Sequence, residues 1–215
     1  MQSYIILIAG AYLLGSVPFG VIIARAHGKD LRTIGSGNTG ATNVGRALGK
    51  KWGYICFILD CGKGLAVMLA GKMMAGGSPG AGEFCLWLTA GCAAIVGHIF
   101  PIYLKFKGGK GVATSLGMVL GLYPYYTLPG LMTFAIWAIV VLIWRYISLA
   151  SIIAAAAFPA ILIIMIIANP GQQWQFAGLW PLVLVAMLMA TLVVVRHVEN
   201  IKRLLEGSES KVLQK

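Results

Sequence analysis

The chain has 215 residues, 59% of them hydrophobic and only 11% charged, with a mean hydropathy of +0.86 and a formal net charge of +11. A soluble domain of this length carries roughly a quarter charged residues, so a soluble enzyme is excluded and one membrane-embedded domain, residues 1–215, is expected. Its four cysteines, Cys56, Cys61, Cys85 and Cys92, sit in apolar stretches with no CxxC pair; they read as small core hydrophobes, and zinc or redox chemistry is not indicated.

A spanning helix needs about 20 apolar residues, and the chain has room for about seven. Spans are expected near residues 3–24, 52–72, 84–104, 112–124, 128–145, 147–168 and 179–196. The first lacks a basic leader and a small-residue cleavage site, so it is expected to be a retained helix. The fourth, at about 13 residues, is short for a full crossing. The predicted fold class is an all-α polytopic integral membrane protein with about seven transmembrane helices. The tail from Gly207 to Lys215 is expected to be frayed and exposed.

The connections alternate in charge. Residues 25–51 carry Arg25, Lys29, Arg32, Arg46, Lys50 and Lys51 against Asp30, whereas residues 73–83 carry only Glu83. Lys105, Lys107 and Lys110 follow span three, Arg145 follows span five, residues 124–127 and 169–178 are uncharged, and the end from Arg196 is basic. By the positive-inside rule the amino terminus lies outside and the carboxyl terminus is cytoplasmic. The polar segments then fall on one side, where separate loops could build one site. The same charges suit both anionic lipid and an anionic substrate.

Four polar segments carry the chemistry. The first runs from Ile34 through Gly35-Ser36-Gly37-Asn38-Thr39-Gly40-Ala41-Thr42-Asn43-Val44-Gly45 to Arg46. Glycines free the backbone to aim successive N–H groups at one anion, and the Arg46 guanidinium offers a fork suited to phosphate oxygens. Ser36, Asn38, Thr42, Asn43 and Arg46 are therefore candidate substrate ligands. The run contains a literal GxGxxG, but no strand precedes it, which rejects a dinucleotide site. In the second segment, Lys107, Gly108, Gly109 and Lys110 precede span four. They fail the P-loop spacing, yet they offer glycine N–H groups, two ammonium groups and the start of a helix. Third, Asp60 and Lys63 lie one turn apart within span two. Ionisable groups there usually face the interior and pair, and they read equally as a supporting ion pair or as substrate contacts. The fourth segment, at the end of the last span, holds Arg196, His197, Glu199, Asn200 and Arg203. His197 and Asn200 gain interest because the other polar loops face the same side. Ser148 and Ser151 read as capping or packing hydroxyls, His98 as an interfacial hydrogen-bonded residue, and Gly117 and Gly121 as a close helix contact.

No HExxH or acidic cluster marks a metal site, no GxSxG marks a hydrolase elbow, and no HxxxxD follows any histidine. Metal, cofactor and nucleic acid are not expected.

The motifs SGNTGATNVGRALG, LDCGKG, GHIFPIYLKFKGGKGVATSLG and RHVENIKRL, in this order, resemble the bacterial acyl-phosphate:glycerol-3-phosphate acyltransferases, the PlsY family, over nearly the whole chain. Cys61-Gly62 stands where larger apolar residues are usual, which bears on local packing. The resemblance implies a seven-helix enzyme of the bacterial inner membrane with its active site at the cytoplasmic face. Its substrates would be acyl phosphate and sn-glycerol 3-phosphate, its products 1-acylglycerol 3-phosphate (lysophosphatidate) and inorganic phosphate. It implies catalytic roles for Ser36, Arg46, Lys110, His197 and Asn200, a substrate-side role for Ser151 and support from Glu199. The rival class is a small-anion or lipid-phosphate transporter, which would need polar residues along a path through the membrane.

Overall fold

The structure is a computed structural model that describes residues 2–75, 79–169 and 176–212. The linkers at 73–83 and 169–178 and the end of the tail lie partly outside these residues. Every regular element described is helical: α1 Gln2–Ser16, α2 Phe19–Ala26, α3 Ala41–Leu48, α4 Lys50–Met74, α5 Ala81–Ile99, α6 Val112–Gly121, α7 Thr127–Trp144, α8 Ile147–Ala168, α9 Phe176–Val195 and α10 Val198–Leu205. The protein is thus an all-α polytopic integral membrane protein. Among the described residues, six stretches are long and apolar enough to cross a bilayer, with α1 and α2 counted as one. Exposed Ile5, Ile6, Leu142, Ile143, Ile164 and Ile167 give these helices an apolar outer surface, as a hydrocarbon environment requires.

The chain divides into two compact units: Met1–Pro79 with Cys85–Leu122, and Gly80–Phe84 with Tyr123–Lys215. In the first unit, the expected opening span is broken. Pro18 has no N–H and disfavours helical geometry at Val17, so α1 stops at Ser16 and α2 starts at Phe19. The expected fourth span is α6, whose ten residues reach about 15 Å, half the hydrocarbon thickness. It lies close against α4. A Cβ on Gly117 would collide with the Cys61 carbonyl, and one on Gly64 with the Thr114 carbonyl. Small residues let the two backbones touch. Thr114 Oγ1 donates to the Asp60 carbonyl at 3.1 Å and fixes the register.

The polar segment before α4 has exposed residues above a core of its own. Leu31 and Val44, both almost wholly buried, join Ile23, Ala24, Ala47 and Cys56 in a small core beneath it. Burying one such side chain contributes about 1.5–3 kcal/mol. Half of the segment forms α3, whose carboxyl end is capped by Lys29 Nζ on the Ala47 carbonyl.

In the second unit, α7 and α8 join through Arg145 and Tyr146 and pack along each other, and α8 also packs on α9. Tyr126 anchors the interior: its hydroxyl donates to the Leu182 carbonyl and its ring meets Phe158 edge to face at 5.1 Å. The last span ends at Val195, and Arg196 and His197 form a turn rather than the start of one continuous helix. Gly207, Ser208, Ser210 and Lys211 of the tail are exposed, as expected, but Glu209 and Val212 are docked. Gly207, at φ +71°, reverses the chain after α10, and the Ser208 N–H returns to the Arg203 carbonyl at 2.8 Å, the usual glycine stop. The Val212 N–H then donates to the Arg145 carbonyl at 2.8 Å, and its side chain packs on Val140, Val141 and Ala150. The polar composition of the tail concealed this docking.

Candidate active site

The first unit carries the glycine-basic segments. Residues 34–37 form a tight turn closed by the Gly37 N–H on the Ile34 carbonyl at 3.0 Å, with Gly35 and Gly37 at φ +56° and +66°. L side chains rarely adopt that region, so these two positions need glycine and leave exposed Ser36 at the crest. Asn43 clips the turn from below. Its Nδ2 donates to the Leu31 and Ile34 carbonyls at 3.0 and 2.9 Å, and its Oδ1 accepts the Ser36 N–H at 3.1 Å. Asn43 is buried and its amide is spent on the loop, so it supports the turn instead of offering a free ligand. Asn38 Oδ1 accepts the Gly40 N–H at 2.9 Å. Thr42 and Arg46 are exposed on α3. The Arg46 stem passes beside Gly35, its Cδ 3.5 Å from where a Cβ would stand. At the outer edge, the Arg32 side chain and N–H bond Asp30 and hold its carboxyl down at about 2. That pair is exposed and adds little stability.

Lys107 is exposed and Lys110 partly buried, on either side of Gly108-Gly109. The Gly108 and Gly109 N–H groups donate to the Ile99 and His98 carbonyls at 3.0 and 3.1 Å. They thus anchor the loop on the end of α5 and are not aimed at an anion. Gly111 at φ +83° then starts α6.

Asp60 and Lys63 are buried and paired, Nζ to Oδ1 at 2.8 Å. Lys63 also donates to the Gly15 and Val17 carbonyls at 3.0 and 2.9 Å. These are groups that the break at Pro18 leaves without helical partners. An ammonium has three protons, and these three acceptors account for them. His98 stands beside the pair, Nδ1 3.2 Å from Lys63 Nζ and 3.6 Å from Asp60 Oδ1. A small cavity lined by Ser16, Pro18, Thr39, Asp60 and His98 adjoins the break.

In the second unit Asn200 is gathered with Ser148 and Arg203 around Glu209, which the sequence reading missed. Its Oε1 accepts from Asn200 Nδ2 at 2.7 Å and Ser148 Oγ at 2.8 Å, and its Oε2 accepts from Arg203 Nε at 2.7 Å. Glu199, expected to support this group, is exposed and pairs with Lys202 at 3.2 Å. One turn along α10 from Lys202, it cannot face the inner side that Asn200 occupies. Ser151 is buried among helices. It donates to the Ile147 carbonyl at 2.8 Å and accepts from Trp137 Nε1 at 3.3 Å. Ser148, not Ser151, joins the polar cluster. His197 is buried, and its Nδ1 lies 2.7 Å from the Val193 carbonyl. A carbonyl only accepts, so Nδ1 carries hydrogen and Nε2 is the atom able to accept a proton. Glu209 had one legible signal: an acid in a basic tail, just past a glycine helix stop.

Burial raises the affinity of Glu209 for its proton, but the donors from Arg203, Asn200 and Ser148 outweigh it, so its pKa lies below the ordinary glutamate value. Its stabilisation is therefore complete above that ordinary value and is lost as pH falls through the lower folded-state value. Glu209→Gln is expected to destabilise the protein by about 1–3 kcal/mol at neutral pH. Thermal unfolding in detergent checks this, and the gap between variant and wild type should narrow as the pH is taken below about 4, a level set by glutamate's ordinary pKa of about 4.3.

Among the described residues, no three His, Cys, Asp or Glu side chains are grouped to hold a metal ion.

A family model described as glycerol-3-phosphate acyltransferase matches residues 5–207. A glycerol-3-phosphate acyltransferase of Geotalea daltonii is 44% identical over 211 residues, 98% of each chain. The structure is similar to the crystal structure of PlsY (YgiH), an integral membrane glycerol 3-phosphate acyltransferase, in its glycerol 3-phosphate form. The TM-score is 0.82 at 40% identity, covering 97% of this chain and 95% of that one. The lysophosphatidic acid form of PlsY matches with a TM-score of 0.81 at 38% identity and the same coverage.

Proposed function

The chain belongs to the glycerol-3-phosphate acyltransferase family, and from that premise we propose that it moves an acyl group from acyl phosphate to the 1-hydroxyl of sn-glycerol 3-phosphate. The products are 1-acyl-sn-glycerol 3-phosphate (lysophosphatidate) and inorganic phosphate. The observation that carries this reading is the Gly35-Ser36-Gly37 turn, clipped by buried Asn43 and flanked by Arg46. It is a rigid, cationic, hydroxyl-bearing feature suited to a phosphoryl group, in a protein whose apolar surface suits an acyl chain.

The glycerol hydroxyl oxygen attacks the acyl carbonyl carbon, the bond from that carbon to the phosphate oxygen breaks, and inorganic phosphate leaves. Acyl phosphate is a mixed anhydride with a good leaving group. Positioning and charge stabilisation can therefore supply most of the rate, and a substrate phosphate oxygen takes the hydroxyl proton. Ser36 and Arg46 bind a phosphoryl group and stabilise developing charge, with Thr42 beside them. Lys110, with Lys107, does the same from the second loop. His197 and Asn200 position substrate, and Asn43, Asn38, Asp60 and Lys63 hold their loops. The whole chain, 1–215, is assigned to one acyltransferase domain. The alternation of charge supports a bacterial inner-membrane location with the basic segments at the cytoplasmic face.

Purified protein with glycerol 3-phosphate is expected to turn over palmitoyl phosphate and not palmitoyl-CoA or palmitoyl-acyl-carrier protein, and to keep its rate after chelation of divalent metals. Equal rates with a thioester and no acyl phosphate present would refute the donor assignment.

A further inference from the structure

Resting on the acyltransferase reading, we infer that His98 is a positioning residue: its ring transmits the fixed geometry of the buried Asp60–Lys63 pair to the Gly108-Gly109-Lys110 loop.

Three observations converge on this residue. On one side, Nδ1 faces Lys63 Nζ at 3.2 Å and Asp60 Oδ1 at 3.6 Å. Nδ1 thus sits against both members of the pair. On the other side, Nε2 lies against Gly109: a Cβ added there would overlap Nε2 and come within 3.0 Å of Cδ2 and Cε1. The same residue's carbonyl accepts the Gly109 N–H, and the next carbonyl accepts the Gly108 N–H. His98 therefore holds the loop through both ring and backbone, one residue before Lys110.

The ion pair has a fixed position of its own. Lys63 is tied to the broken end of α1 through Gly15 and Val17, and the Asp60 carbonyl is tied to Thr114 in the first turn of α6. The Ser36 turn is fixed separately by Asn43. His98 is thus the side chain that links the buried charges to the loop, and it explains why position 109 is glycine: a methyl group would push the ring or the loop away.

Two substitutions separate the faces of the ring. His98→Asn places an amide near the Nδ1 position and keeps only the ion-pair side, whereas His98→Gln reaches the Nε2 position and keeps the loop side. Each variant is purified in detergent, its thermal unfolding recorded with and without glycerol 3-phosphate, and its kcat and KM measured with palmitoyl phosphate. His98→Gln, cut off from Asp60 and Lys63, is expected to lose about 10–100-fold in kcat/KM. His98→Asn is expected to lose about 10–100-fold in kcat/KM, the scale of a misplaced binding group, while unfolding at the wild-type temperature. Gly109→Ala is expected to lose a similar factor alone and little more when combined with His98→Asn, because both disturb one contact. His98→Asn at wild-type kcat/KM, or losses from the two substitutions that multiply in full, would overturn the inference. If His98→Asn does not fold, Gly109→Ala decides: unchanged kcat/KM overturns it. Wild-type protein that transfers no acyl group would instead refute the acyltransferase reading itself.

Discussion

Arg46→Ala and Lys110→Ala are each expected to lower turnover by about 10²–10³-fold, the range seen when a group that stabilises developing negative charge is removed, with the protein still inserted. Arg46 is exposed on α3 beside the Ser36 turn, and among the described residues no side-chain hydrogen bond or ion pair engages its guanidinium. Truncating it therefore breaks no visible support of the fold, and the loss should appear in catalysis and not in stability. Lysine at position 46 should recover only part of the rate, because an ammonium cannot reproduce the planar two-point grip of a guanidinium. Lys110 lies just before α6 and just after the loop seated on His98, so Lys110→Ala is expected to leave α6 in place. Steady-state kinetics on protein matched for melting temperature and monodispersity check both. Either variant at wild-type activity would remove its segment from the site.

His197 carries the second large effect. With Nδ1 donating to the Val193 carbonyl, Nε2 is the atom expected to meet a substrate. A general base in this position would lower the rate about 10²–10⁴-fold on removal and take a pH-dependent limb with it. Bases of that kind are commonly oriented by a carboxylate that stabilises the imidazolium. Here the carboxylate of the cluster, Glu209, is engaged by Ser148, Asn200 and Arg203, and Nδ1 faces a neutral carbonyl. His197→Gln, which keeps a polar group near Nε2, is therefore expected to retain the acidic limb of the pH–rate profile and to raise KM for glycerol 3-phosphate. His197→Ala should lose about 10–150-fold in kcat/KM, equivalent to the roughly 1.5–3 kcal/mol of a hydrogen bond to a charged group. Loss of the acidic limb in His197→Gln, with unchanged affinity for glycerol 3-phosphate, would make it the base.

The membrane spans were legible because long apolar runs admit little else, and the bounds of α7 and α8 follow the hydropathy within a residue or two. The breaks were harder. Pro18 interrupts an unbroken apolar run, and what makes the interruption tolerable is Lys63, far along the chain, whose ammonium satisfies the freed carbonyls. Such long-range compensation has no local signature. Within the polar segments, residue type marked where chemistry gathers but not which groups face outward. Asn43 and Ser151 carry the right atoms and spend them on their own backbone or neighbours, whereas Ser36 and Arg46 remain outward. Glu199 and Glu209 show the same limit. The resemblance implied support from Glu199, yet the helix turn carries it to the exposed side and the Gly207 reversal brings Glu209 back to Asn200.

The most direct test of the central claim uses the purified wild-type chain in detergent, palmitoyl phosphate and glycerol 3-phosphate, with acylated product and inorganic phosphate both quantified. 1-Palmitoyl-glycerol 3-phosphate and phosphate are expected one for one, each dependent on glycerol 3-phosphate. Phosphate release that does not need glycerol 3-phosphate, or no acylated product from folded protein, would contradict it.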